Sequence, residues 1–133
     1  MNQLPLNSPT SAKGTWRTYS LAEGLCGIQV EHIAEDHEGY LWFATYDNGV
    51  SRFDGDEFRT YTRTSGLCGN QVMCILSDSQ NRLWFATRDG GACWYDGQYF
   101  HKFTGSDNMA TGSVSYIAED RQGRIWKRCR WPC

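Results

Sequence analysis

The chain has 133 residues, with six Trp, seven Tyr and six Phe, and a formal net charge of −2 from acids and bases that are interspersed. That length supports a domain with a hydrophobic core, and the scattered charge excludes the clustered basic face of a nucleic-acid binder. No stretch reaches the roughly 20 apolar residues of a membrane-spanning helix, and no apolar segment of about 7–15 residues follows a basic start as in a secretory leader.

Residues 1–14, MNQLPLNSPTSAKG, are polar and rich in Pro, Ser, Asn and Thr, and read as a flexible lead-in. From residue 15 a pattern with a 42-residue period sets in: Leu41-Trp42-Phe43-Ala44-Thr45 recurs as Leu83-Trp84-Phe85-Ala86-Thr87, and Ile125-Trp126 opens a third copy. Gly24-Leu25-Cys26-Gly27 matches Gly66-Leu67-Cys68-Gly69 at the same step, Ile33, Ile75 and Ile117 align, and so do Asp36, Asp78 and Asp120. Trp16 aligns with Phe58 and Phe100, and Tyr19 with Tyr61 and Phe103. The divisions that follow are 15–20, the outer strand of a preceding unit; 21–62 and 63–104, two full copies; 105–126, a partial third; and 127–133, an atypical basic and cysteine-bearing tail.

Turn residues divide one copy into four short strands. In the second copy these are 71–77, 82–87, 91–95 and 99–104, separated by Asp78-Ser79-Gln80-Asn81, by Arg88-Asp89-Gly90 and by Asp96-Gly97. Asp54-Gly55 and Asp96-Gly97 suit type I′ hairpins. Leu-Trp-Phe-Ala-Thr does not alternate apolar with polar, so both faces of that strand are covered. Four antiparallel strands in about 42 residues, stacked face to face on like sheets, make a β-propeller blade. The fold class is all-β, an incomplete β-propeller. Trp42, Trp84 and Trp126 are read as inter-blade packing, since a buried aromatic removes about 150–250 Å² from water.

These residues resemble the two-component regulator propeller repeat. Its pattern is matched by Gly24-Leu25, Val30, Ile33, Asp36, Gly39, Leu41-Trp42, Thr45, Gly49 and Phe53-Asp54. The second copy supplies Gly66-Leu67, Val72, Ile75, Asp78, Leu83-Trp84, Thr87, Gly91 and Tyr95-Asp96, with Asn81 at the turn glycine, an exchange that αL-tolerant Asn allows. Val114, Ile117, Asp120, Gly123 and Ile125-Trp126 continue the pattern before it breaks. The resemblance implies a sensor input domain, extracytoplasmic and membrane-anchored in a full-length member, often with carbohydrate ligands. This chain, having no secretory leader or membrane span, is expected in the cytoplasm as written. After Trp126 the repeat calls for an apolar run, whereas Lys127-Arg128-Cys129-Arg130-Trp131-Pro132-Cys133 follows. That is not a buried second strand; a truncated or frame-shifted reading frame is expected, with a purposeful basic tail as the alternative.

Blade topology puts the link into the first strand and the loop between strands two and three on one face. Polar residues there differ between copies, as binding loops on a rigid scaffold do. Gln29, Tyr46, Asp47, Asn48, Asn70, Gln71, Arg88 and Asp89 are the candidate ligand-binding residues, a set suited to a glycan or other small polar ligand; solvated loops are the alternative. No nucleophile elbow, phosphate loop or metal motif occurs. Glu35-Asp36 and Glu119-Asp120 point to opposite strand faces and make poor acid–base pairs, and His32, His37 and His101 lack ligand spacing. No enzyme, cofactor, metal or nucleic-acid role is expected. The six cysteines lack zinc-ribbon spacing and read as free thiols, with Cys26 and Cys68 equivalent in neighbouring blades and not facing each other. The function expected is a ligand-sensing propeller fragment; the alternatives are a protein-interaction scaffold or a fragment with no function of its own. Bare terminal blade faces predict self-association or packing against further blades.

Overall fold

The computed structural model describes residues 16–103 and 112–130. Two four-stranded antiparallel sheets follow one another, β1 (Val30–Glu35), β2 (Leu41–Thr45), β3 (Val50–Phe53) and β4 (Phe58–Tyr61), then β5 (Val72–Ser77), β6 (Leu83–Thr87), β7 (Gly91–Tyr95) and β8 (Phe100–Lys102), each in sequential order. A two-stranded sheet of β9 (Ser113–Glu119) and β10 (Ile125–Arg130) begins a third unit. Short turns explain the sequential order, because antiparallel neighbours need only a tight connection. Asp36, Asp78 and Asp120 each hold the β1–β2, β5–β6 and β9–β10 turns through backbone N–H groups two and four residues on, at 2.8–3.0 Å. Asn81 takes the left-handed conformation there, φ 62°, as Gly39 and Gly123 do at the same place.

Repeated positions show how the sheets stack. Ile33 is 44% exposed while Ile75 and Ile117 are 3% and 2%; Trp42 and Trp84 are 1% and 5% exposed while Trp126 is 58%. Isoleucine therefore looks back along the stack and tryptophan looks forward; on the first blade's back Ile33 stays exposed while Phe43 and Phe53 pack with Leu25, Tyr19 and Phe58, and on the third unit's front Trp126 stands exposed. At the first seam Trp42 meets Phe85 and Tyr95 with ring centroids 5.5 and 5.6 Å apart. A core of Trp42, Ala44, Ile75, Leu83, Phe85 and Tyr95 fills it. At the second seam Trp84, Ala86, Ala92, Val114 and Ile117 pack together. Inner strands also join by single contacts: Ile75 N–H donates to His32 Nδ1 at 3.2 Å, and the Cys74 thiol, at the equivalent position, donates to the Ile117 carbonyl at 3.8 Å. Before the first blade, Tyr19 lies 5.0 Å from Phe53 and 5.5 Å from Phe58. Tyr61 meets Tyr95 and Phe100 in the same way at 5.8 and 5.7 Å.

Three expectations are corrected. The Asp-Gly hairpins are not type I′, since Gly55 and Gly97 have positive φ but Asp54 and Asp96 do not. Each Asp instead caps a four-residue loop, its carboxylate accepting from the N–H groups of Asp56 and Glu57, or of Gln98 and Tyr99. The tail does not leave the repeat at Trp126: β10 runs to Arg130, with Cys129 opposite Val114 as Thr87 is opposite Val72. It can do so because Trp126 and Arg128 stand exposed; residues 131–133 lie outside the described residues. Finally, Cys68 and Cys93 form a disulfide with a Cα–Cα distance of 5.9 Å.

Candidate functional site

The loops after β2 and β6 and the links before β1 and β5 share one face. Thr45 and Thr87 are buried at the ends of their strands, and each hydroxyl donates to the carbonyl of Gly49 or Gly91 at 2.8 Å, closing the loop that follows. The loops are stitched to the links: Tyr46 N–H donates to the Gln29 carbonyl at 3.0 Å and Arg88 N–H to the Gln71 carbonyl at 2.9 Å. Gly49 N–H reaches across the seam to the Asn70 carbonyl at 2.8 Å. A Cβ at Gly49 would collide with the Tyr61 carbonyl, so only glycine allows this approach.

The eight candidate residues lie on this face, but their side chains do different work. The Asp89 carboxylate accepts from the backbone N–H groups of Asn70 and Gln71 at 3.0 and 3.1 Å. Arg63 donates to the Asp89 carbonyl at 2.6 Å, and the Asn70 side-chain oxygen accepts from Arg63 N–H at 2.9 Å. Asp47 lies against Gly27 as Asp89 lies against Gly69. Asn48 donates from its amide to the Cys26 carbonyl at 3.1 Å. The Gln29 amide is engaged by Glu31 on the same strand edge. Asp47, Asn48 and Asp89 thus turn inward on their own blade's link. Tyr46 and Arg88 are brought together across the seam: the guanidinium donates to the phenol oxygen at 3.1 Å and sits 5.7 Å from the ring centroid. Beside Asp89, a concavity of about 550 Å³ is lined by Arg63, Leu67, Cys68 and Lys102 among others.

Two features of the structure were not anticipated. Each turn aspartate also accepts from the indole N–H of the tryptophan six residues on, Asp36 from Trp42, Asp78 from Trp84 and Asp120 from Trp126, all at 2.8 Å. The constant six-residue spacing was the available signal. The Cys68–Cys93 bridge has a counterpart in the first blade, where Cys26 N–H donates to the Ser51 hydroxyl at 2.8 Å, Ser51 standing where the second copy has Cys93. The bridge ties the link carrying Asn70 and Gln71 to β7. Among the described residues no three His, Cys, Asp or Glu side chains group as a metal site, and no helix is long and apolar enough to cross a membrane.

Residues 24–47 and 66–89 match the family model of the two component regulator propeller. Among solved structures the chain is similar to an extracellular domain described as that of a hybrid two component system, BT3049 of B. thetaiotaomicron, with a TM-score of 0.69 and 27% identity over 84% of this chain and 17% of that one. It is also similar to the extracellular domain of BT4673 from the same organism, with TM-scores of 0.63 and 0.62 in two structures, 27% and 26% identity, and 76% of this chain against 15% of theirs. The chain therefore spans less than a fifth of the length of these neighbours. No curated protein matches it significantly. With the Gly-Leu links, the Asp–Trp turns and two four-stranded blades in the same 42-residue register, this chain carries repeats of the two component regulator propeller family.

Proposed function

We propose that the chain is part of the sensory propeller of a two-component-type regulator and binds a polyhydroxylated ligand, a glycan in the first instance, on the face that carries Tyr46 and Arg88. The observation that carries this reading is the Tyr46–Arg88 pair bridging two blades at 3.1 Å. It offers a planar fork of donors beside an aromatic surface, held over a seam by strands that are otherwise rigid. Gln29 with Glu31, and Asn70 and Gln71 on the neighbouring link, extend the polar surface on either side. The reading assigns binding and not catalysis. The disulfide favours an oxidising compartment, in keeping with the extracellular origin of the similar structures, so an extracytoplasmic location replaces the cytoplasm in this reading.

Thermal melting of the chain against a panel of neutral and acidic oligosaccharides tests it. A ligand at about 100 times its dissociation constant stabilises the fold by about 2.7 kcal/mol, and Arg88→Ala is expected to weaken that ligand at least tenfold. A melting temperature unmoved across the panel, or a ligand shift that Arg88→Ala leaves intact, would sink the reading; a stable protein complex with no such shift would point to a scaffold.

A further inference from the structure

The second blade and the third unit each pin an arginine over the seam tryptophan by means of the turn aspartate. Arg82 Nε donates to Asp78 at 2.7 Å and Arg124 Nε to Asp120 at 2.6 Å. Their guanidinium carbons lie 5.4 Å from the Trp84 ring and 5.6 Å from the Trp126 ring. In the first blade the 42-residue step puts Tyr40 at that place, and puts Arg52 and Arg59 where the second blade has Trp94 and His101. The exchange leaves charge unmatched. Trp94 and His101 stand opposite each other and stack with ring centroids 4.2 Å apart. Arg52 and Arg59 are opposite in the same strand pairing, where like charges repel. The Arg52 guanidinium carbon lies 4.8 Å from the Tyr40 centroid and 5.9 Å from those of Trp42 and Tyr61. Its Nε is buried without a hydrogen-bond acceptor, and among the described residues neither arginine pairs with a carboxylate. A buried cationic donor left in that state is costly.

Arg52 borders a cavity of about 70 Å³ in the first seam, on the side of the tight turns and away from the loops that carry Tyr46 and Arg88. Trp42, Leu83 and Tyr95 form its apolar wall, and His37 and Asn81 line it from the two facing turns. Three carboxylates border it as well, and two of them are spent on their own turns. Asp36 accepts from Glu38 N–H, Tyr40 N–H and the Trp42 indole; Asp96 accepts from Gln98 N–H and Tyr99 N–H and is paired with His101 at 2.7 Å. Glu38, the third, is exposed. We propose that this cavity binds a chloride-sized anion, with the Arg52 guanidinium as its principal donor and His37 and Asn81 as further donors. The space holds a few waters or one small ion and excludes a sugar, so this site is separate from the ligand face. An anion there supplies the acceptor that Arg52 lacks, offsets its repulsion with Arg59, and ties the first blade to the second through a charge-assisted contact.

Thermal melting of the full chain in sodium chloride, sodium bromide or sodium gluconate at equal ionic strength tests the proposal. Chloride and bromide are expected to raise the melting temperature above that in gluconate, by an amount that grows with concentration as ln(1 + [L]/Kd). Arg52→Gln is expected to lose that rise. Arg121→Gln, which removes the same charge from an exposed turn, is expected to keep it in full. A second measurement needs no variant: the chloride NMR linewidth should be broadened by the native protein, and bromide but not gluconate should narrow it again. The proposal is overturned if the native chain melts alike in all three salts, if the rise persists in Arg52→Gln, or if bromide leaves the chloride linewidth unchanged. None of these outcomes bears on the oligosaccharide panel, whose site lies on the other side of the blades.

Discussion

Asp78 has no exposed side-chain surface, yet it is charged at neutral pH. Burial alone pushes its carboxyl up, but the Trp84 indole N–H, the backbone N–H groups of Arg82 and Gln80 and the Arg82 guanidinium at 2.7 Å outweigh that and hold it below the ordinary value. One carboxylate therefore closes the β5–β6 turn and fixes the rotamer of the tryptophan that fills the second seam. Asp120 makes the same bonds and is lowered too, the Trp126 indole being the largest cause, but its guanidinium partner is largely exposed. A carboxyl depressed in the folded state stabilises it above the unfolded pKa of about 3.9, and that contribution fades as pH falls through the folded value. Asp78→Asn keeps the shape but gives up the charge that accepts from Trp84, and hydrogen bonds to charged groups are worth about 1.5–3 kcal/mol. It is expected to cost about 2 kcal/mol at pH 7 in urea denaturation, and the gap to the native chain should narrow below pH 4. A gap that stays constant down to pH 2.5 would show that the charge is not what matters.

Blade one and blade two tie the link before the inner strand to the third strand in different ways. Cys26 with Ser51 and Cys68 with Cys93 occupy the same two places, the first pair joined by a hydrogen bond of 2.8 Å and the second by a disulfide. Ser51→Cys is therefore expected to form a second bridge to Cys26. Closing a loop of that length is worth about 3 kcal/mol in the chain-entropy account. After air oxidation, intact mass under non-reducing conditions should fall by two hydrogen atoms relative to the reduced variant, and the melting temperature should rise; a free thiol at both positions would mean that the two links are not equivalent. The blades themselves were legible in the sequence because their signals are local. A turn aspartate, an αL residue such as Asn81 and a two-sided apolar run each specify their strand boundary without reference to distant chain. The disulfide was not legible, because its pairing joins residues 25 apart in sequence through a position that is serine in the other copy. Nor was β10, whose charged residues broke the apolar pattern while the backbone pairing, indifferent to side chain at an exposed edge, carried on in register.

At the scale of the whole chain, stability is a sum of blade terms and seam terms, and among the described residues only the second blade has a seam on both sides. The loop face follows the same logic. Polar residues of the loop face were visible as candidates, but Asp89 and Asn48 spend their polar atoms on the links of their own blade, whereas Tyr46 and Arg88 meet only because two blades stack. Sequence comparison within one copy cannot show a pairing created by stacking. Local opening free energies should be graded accordingly, from the doubly covered sheet outward. All five residues of β6 are buried, and its strand pairs on both sides with β5 and β7. β4 ends its sheet, and β10 pairs only with β9 among the described strands. Amide hydrogen exchange followed by mass spectrometry is therefore expected to be slowest in β6, with peptides from β4 and β10 exchanging at least 100-fold faster, a difference of about 2.7 kcal/mol in opening free energy. Association through the back of the first blade would cover Ile33 and slow exchange in β1 and β2 as concentration rises, leaving β10 unchanged. Protection that is equal across the three sheets at high dilution would mean that the chain opens as one cooperative unit, and that its seams are stronger than the strands they join.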